Sequence, residues 1–110
     1  MKTSVVVKLQ VEGLHRWKDC NIDEVAYLCE MHRHIFHITC EKKVRHSDRD
    51  IEIISFKHEV ANYLHAEYGN PVCNFGEMSC EMIAQELVER FSLERCIVLE
   101  DNENGAIVTI

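Results

Sequence analysis

Cys29-Glu30-Met31-His32-Arg33-His34-Ile35-Phe36-His37-Ile38-Thr39-Cys40 is the stretch on which the reading of this chain turns. β-Branched and aromatic residues are frequent from Met31 to Cys40, as in strands that pack one face on a core. A strand over about residues 31–44 places His32, His34, Phe36, Ile38 and Cys40 on one face. Arg33, Ile35, His37 and Thr39 take the other. Two imidazoles spaced by two residues then aim at one point in space. His15, at the end of an earlier apolar strand, is the natural third ligand, and three neutral histidines with one open position is how catalytic zinc is usually held. Taken singly, each histidine reads more readily as a half-buried, hydrogen-bonded side chain than as a ligand; taken together, zinc accounts for them better.

Working outward, Ser4 to Glu12 alternates Val5, Val7, Leu9 and Val11 against Lys8, Gln10 and Glu12, the pattern of a half-buried strand broken at Gly13. His15 to Cys20 reads as a loop, with Asn21 or Asp23 capping a short helical turn through Val25, Ala26 and Leu28. After a polar turn from Arg45 to Asp50, Ile51 to Ser55 reads as a third extended segment. Phe56, Val60, Tyr63 and Leu64 then recur at helical spacing up to Gly69, a residue suited to the left-handed position after a helix. Asn70 to Met78 reads as a loop. Ser79 caps a second helix whose stripe is Ile83, Ala84, Leu87, Val88 and Phe91, and two strands, Arg95–Glu100 and Gly105–Ile110, close the chain around Asp101 to Asn104.

The chain of 110 residues is read as one domain, 1–110, of the α+β class, with an antiparallel sheet and two helices on one face. A sheet face left uncovered implies self-association. Sheets joined edge to edge into a barrel would remove their open edges. A net charge of −7 excludes the phosphate-neutralising surface that non-specific nucleic-acid binding needs. The basic cluster Lys42-Lys43-Val44-Arg45-His46 lies beside Asp48 and Asp50, and reads as a solvated loop. No run approaches the roughly 18 apolar residues of a membrane span. With six cysteines in no Cys-x-x-Cys spacing and no secretory leader pattern, reduced thiols and a cytoplasmic location are expected.

Several motifs together resemble the 6-pyruvoyltetrahydropterin synthase and 6-carboxytetrahydropterin synthase family. Gly13-Leu14-His15-Arg16-Trp17 is similar to its Ala-Ala-His-Arg-Leu, and Met31-His32-Arg33-His34 to its Leu-His-Gly-His. Met78-Ser79-Cys80-Glu81 resembles its Pro-Thr-Ser-Glu, and Val98-Leu99-Glu100, followed by a short loop and Gly105-Ala106, resembles its late Val-x-Glu and Gly-Ala. The resemblance covers nearly the whole chain. It implies the tunnelling fold, ββααββ, assembled into a barrel as a trimer-based homo-oligomer of up to six subunits with sites between them. It also implies Zn²⁺ on His15, His32 and His34, with Glu100 gripping a pterin-like ligand through two parallel N–H···O bonds. The activity implied is a zinc-dependent lyase acting on a dihydroneopterin triphosphate-like substrate.

The chain departs from the family where the proton transfers occur. The family's basic cysteine, four residues before the histidine pair, corresponds to Leu28, leaving Cys29 as the nearest thiol and Cys20 and Glu30 as further candidates. The family's Asp-His pair falls at Gly69 and Asn70, with His65 one helical turn earlier as the possible substitute. Loss of a general acid-base group typically removes about two to four powers of ten in rate while leaving binding intact. The alternative is therefore a catalytically degenerate protein that binds a pterin or guanine-like ligand without turnover.

Overall fold

The computed structural model describes residues 1–110. It is an α+β domain in which a five-stranded mixed sheet carries two helices on one face. In chain order the elements are β1 (Thr3–His15), a short 3-10 helix (Asp23–Cys29), β2 (His32–Val44), α1 (Ile53–Tyr68), β3 (Cys73–Gly76), α2 (Cys80–Phe91), β4 (Arg95–Glu100) and β5 (Asn104–Thr109). Across the sheet the order is β3-β1-β2-β4-β5. No helix is long and apolar enough to cross a membrane.

The alternation in the first two strands acts as expected. Val7, Leu9 and Val11 of β1 and Phe36, Ile38 and Cys40 of β2 are buried on the helix-covered face, joined by Cys96 and Val98 of β4. α1 packs over β1 and β3, and α2 over β4 and β5. Their stripes, Phe56, Val60 and Leu64 from one and Ile83, Ala84, Leu87, Val88 and Phe91 from the other, complete a single apolar cluster. Ser79 caps α2, its hydroxyl accepting the Met82 N–H at 3.2 Å. All six cysteines are unpaired and four are buried, where they serve as small apolar residues.

Three expectations are corrected. The sheet is not wholly antiparallel, because Cys73 to Gly76, expected as loop, forms β3 and pairs in parallel with Gly13 to His15 of β1. Ile53 to Ser55 is not extended but opens α1. The carboxylate of Glu52 accepts the N–H groups of Ile54 and Ser55 at 2.9 and 2.8 Å, and so ties down the donors that a helix start leaves free. The helical turn near residue 25 is a 3-10 helix whose cap position is Ile22, with no side-chain cap from Asn21 or Asp23. The outward residues of β1 are Ser4, Lys8, Gln10 and Glu12, with Val6 and Leu14 the apolar exceptions.

Gly69 ends α1 at φ 125°, a conformation that only glycine adopts readily, and a Cβ there would meet the Val72 carbonyl oxygen at 2.5 Å. Gly13 is needed for a different reason. A Cβ on it would lie 2.7 Å from the Phe75 ring and 2.8 Å from the Phe36 ring, which cross this strand between the core and His15. Gly13→Ala is therefore expected to cost about 1–3 kcal/mol by overpacking, and Phe36→Ala about 3–5 kcal/mol by leaving a cavity. Urea unfolding of the two variants checks both magnitudes.

Candidate functional site

The long pairing of β1 with β2 runs in register from Thr3↔Val44 to His15↔His32, so the end of one strand meets the start of the next with a histidine on each. His34 lies two residues further along the same face, opposite Gly13. The absence of a side chain on Gly13 leaves room for the Phe36 and Phe75 rings beneath the histidines. Candidate ligand atoms of His15, His32 and His34 all lie within 4.8 Å of one another, and the rings stand edge to face with centroids 4.6 to 5.4 Å apart. Phe36 forms the floor, its ring centroid 5.2 Å from that of His15 and 5.8 Å from that of His34.

Each imidazole is held by its Nδ1. His15 donates to the Met78 carbonyl at 2.9 Å, His32 to the Glu30 carbonyl at 2.8 Å, and His34 to the Asp101 carboxylate at 2.7 Å. These acceptors can only receive a hydrogen bond, so the proton of each ring sits on Nδ1 and the neutral ring carries its lone pair on Nε2. The Nε2 atoms of His15 and His34 are buried and make no hydrogen bond. Burial lowers the pKa of His15, which is only 7% exposed, and so favours its neutral form. Outward-facing anchors with inward-facing lone pairs are what metal-binding histidines require, and the three residues could hold a metal ion.

Asp101 was read from the sequence only as a turn residue. It has a left-handed φ of 53°, its N–H donates to the Ile35 carbonyl at 2.8 Å, and its carboxylate receives the Ile35 N–H at 3.0 Å as well as His34. The hydrogen bond from His34, then that from Ile35, holds its carboxyl below the usual carboxylate range.

A cavity of about 490 Å³ opens beside the histidines, with His15, His32, Trp17, Leu28, Cys80 and Glu100 in its wall. Glu100 ends β4 on the inward face, its carboxylate 2.9 Å from His15 Nε2 and 3.5 Å from His34 Nε2. Cys80, the first residue of α2, approaches the same carboxylate at 3.8 Å. Burial, then the charge of Glu100, pushes its thiol up to about 12. No local signal in the sequence marks Cys80 as a site residue; it reaches the cavity because Ser79 starts α2 there.

The other candidates lie elsewhere. Leu28 lines the cavity, whereas Cys29 is half-buried at the end of the 3-10 helix and is not part of the wall. The Cys20 thiol faces the Val25 carbonyl at 3.5 Å. Glu30 contributes its carbonyl to His32 and leaves its side chain exposed. His65 bonds the Gly69 carbonyl at 2.9 Å and faces Cys73 at 3.7 Å, at the end of α1. Arg33 points to the opposite face of the sheet, where it pairs with Glu12.

No protein-family model and no curated protein matches this chain. The candidate site therefore stands on its geometry. A metal ion held by the three histidines is expected to bind about 10–100-fold more weakly to Asp101→Asn, the usual effect of losing an orienting carboxylate. Chelator-competition titration of the two proteins measures it.

Proposed function

We propose that this chain is a zinc-dependent protein similar to the 6-pyruvoyltetrahydropterin and 6-carboxytetrahydropterin synthases, with Zn²⁺ held by His15, His32 and His34 and a pterin-like ligand in the adjoining cavity. The observation that carries the reading is the set of three imidazoles that are each anchored through Nδ1 and whose ligand atoms lie within 4.8 Å of one another. Imidazole nitrogens of this number and neutrality suit zinc. A zinc ion held there supplies Lewis-acid polarisation of an oxygen on the ligand.

The residues of the cavity suit a planar, hydrogen-bonding heterocycle. Glu100 offers two acceptor oxygens to the N–H groups of a 2-amino-4-oxo pyrimidine ring. Trp17 and Leu28 supply apolar walls, and a cavity of about 490 Å³ is in the range of small-ligand sites. The open edge strands β3 and β5 support assembly of several copies, since unpaired strand edges invite pairing.

A second reading, binding without turnover, is favoured by the state of the thiols. A base must be near its deprotonated form at working pH, but Cys80 in the cavity wall is pushed up to about 12 and Leu28 stands where the family carries its cysteine. Tyr68 to Asn74 contains no Asp-His pair.

Protein purified without a His-tag is expected to contain about one zinc per chain, lost in His32→Ala, and to show a lower Tm after chelation. Elemental analysis and thermal scans test this. Calorimetry of the zinc-loaded protein with pterins and guanine nucleotides, paired with product analysis, separates the two readings: heat of binding with no product supports the binding protein, and product supports the lyase. Light scattering is expected to give a mass of several subunits, and a monomer at working concentration would remove the assembly from the proposal.

A further inference from the structure

Glu100 is placed as though it belonged to the metal centre as much as to the cavity. Its Oε2 lies 2.9 Å from His15 Nε2 and its Oε1 3.5 Å from His34 Nε2. Both contacts lie within ion-pair reach, and no other group offers either buried nitrogen a hydrogen bond. With the ring protons spent on Met78 and Asp101 through the outward Nδ1–H bonds, each Nε2 presents a lone pair. A carboxylate this close to two imidazole nitrogens calls for positive charge between them, which a ring proton or a metal ion supplies.

The spacing fits such a cation. Zinc bonds of about 2.0–2.1 Å to nitrogen and oxygen give a tetrahedron whose edges are about 3.3–3.4 Å. Oxygen-to-nitrogen distances of 2.9 and 3.5 Å straddle that edge. The Cys80 thiol, 3.8 Å from Oε2, is positioned to steady the carboxylate as a weak donor.

We propose that Glu100 is the fourth protein ligand of the centre, so that the metal is closed to outside ligands while the cavity is empty. The proposal rests on the zinc reading above. Gripping a heterocycle and capping the metal are exclusive uses of the same carboxylate. Ligand entry therefore releases the fourth position, and exposure of the metal becomes conditional on a filled cavity.

The test uses the full chain, stripped of metal and reloaded with Co²⁺ as a visible probe, after one ion per chain has been verified by elemental analysis. Azide is then titrated into the wild type, Glu100→Ala and Glu100→Gln. The wild-type absorption is expected to stay unchanged, whereas Glu100→Ala takes up azide with a spectral shift. Zinc affinity should fall more than about 100-fold in Glu100→Ala, beyond the 10–100-fold that an orienting contact carries. A wild-type spectrum that shifts with azide overturns the proposal, and this arm needs no variant to fold. Equal zinc affinity in the wild type and both variants also overturns it. Failure of the wild type to bind either metal would refute the zinc reading itself, and the elemental analysis made before the titration tells the two failures apart.

Discussion

The pairing of β1 with β2 is the constraint on which the rest of the molecule depends. Thirteen consecutive residue pairs, from Thr3↔Val44 to His15↔His32, set which side chains of both strands face the helices and bring the histidine of one strand beside those of the other. A slip of one residue would turn His32 and His34 to the outer face together with Phe36 and Ile38. The same burial that fixes the core thus fixes the site. Phe36 makes the link concrete: it is fully buried and its ring packs against His15 and His34.

Around that pairing, His15 and His34 are oriented by parts of the chain distant in sequence and His32 by its own neighbour Glu30. Met78 lies just before α2, Asp101 in the β4–β5 turn and Glu30 beside β2, and each accepts one ring proton. Because three separate segments each fix one ring, the inward direction of the lone pairs is built before any ion arrives. Pre-orientation of this kind lowers the entropy lost on binding.

The electrostatics of the cavity separate binding from proton transfer. Neutral histidines and an acidic group favour a cation. Burial beside the same acidic group disfavours a thiolate at Cys80. The Glu100 carboxylate therefore suppresses ionisation of the one thiol in the cavity wall. The remaining free thiols sit in the core or against the 3-10 helix, apart from the reacting space.

How much of this was legible in the sequence follows the range of the forces involved. The alternation of Val7, Leu9 and Val11, the His32-x-His34 spacing, the Ser79 cap and the stripe of α2 depend on neighbours along the chain, and each can be read from residue order. Glu52 misled the reading of Ile53 and Ile54, because a cap made by a glutamate outweighed two β-branched residues that favour a strand. β3 was missed since its four residues show no period; it exists because β1 offers it an open edge. The sequence by itself determined which residues could be ligands and that His32 and His34 share a face. Only the tertiary structure decided that Asp101 and Met78 hold the rings and that Cys80 rather than Cys29 lines the cavity, because those positions are set by long-range packing that brings distant segments to one end of the sheet.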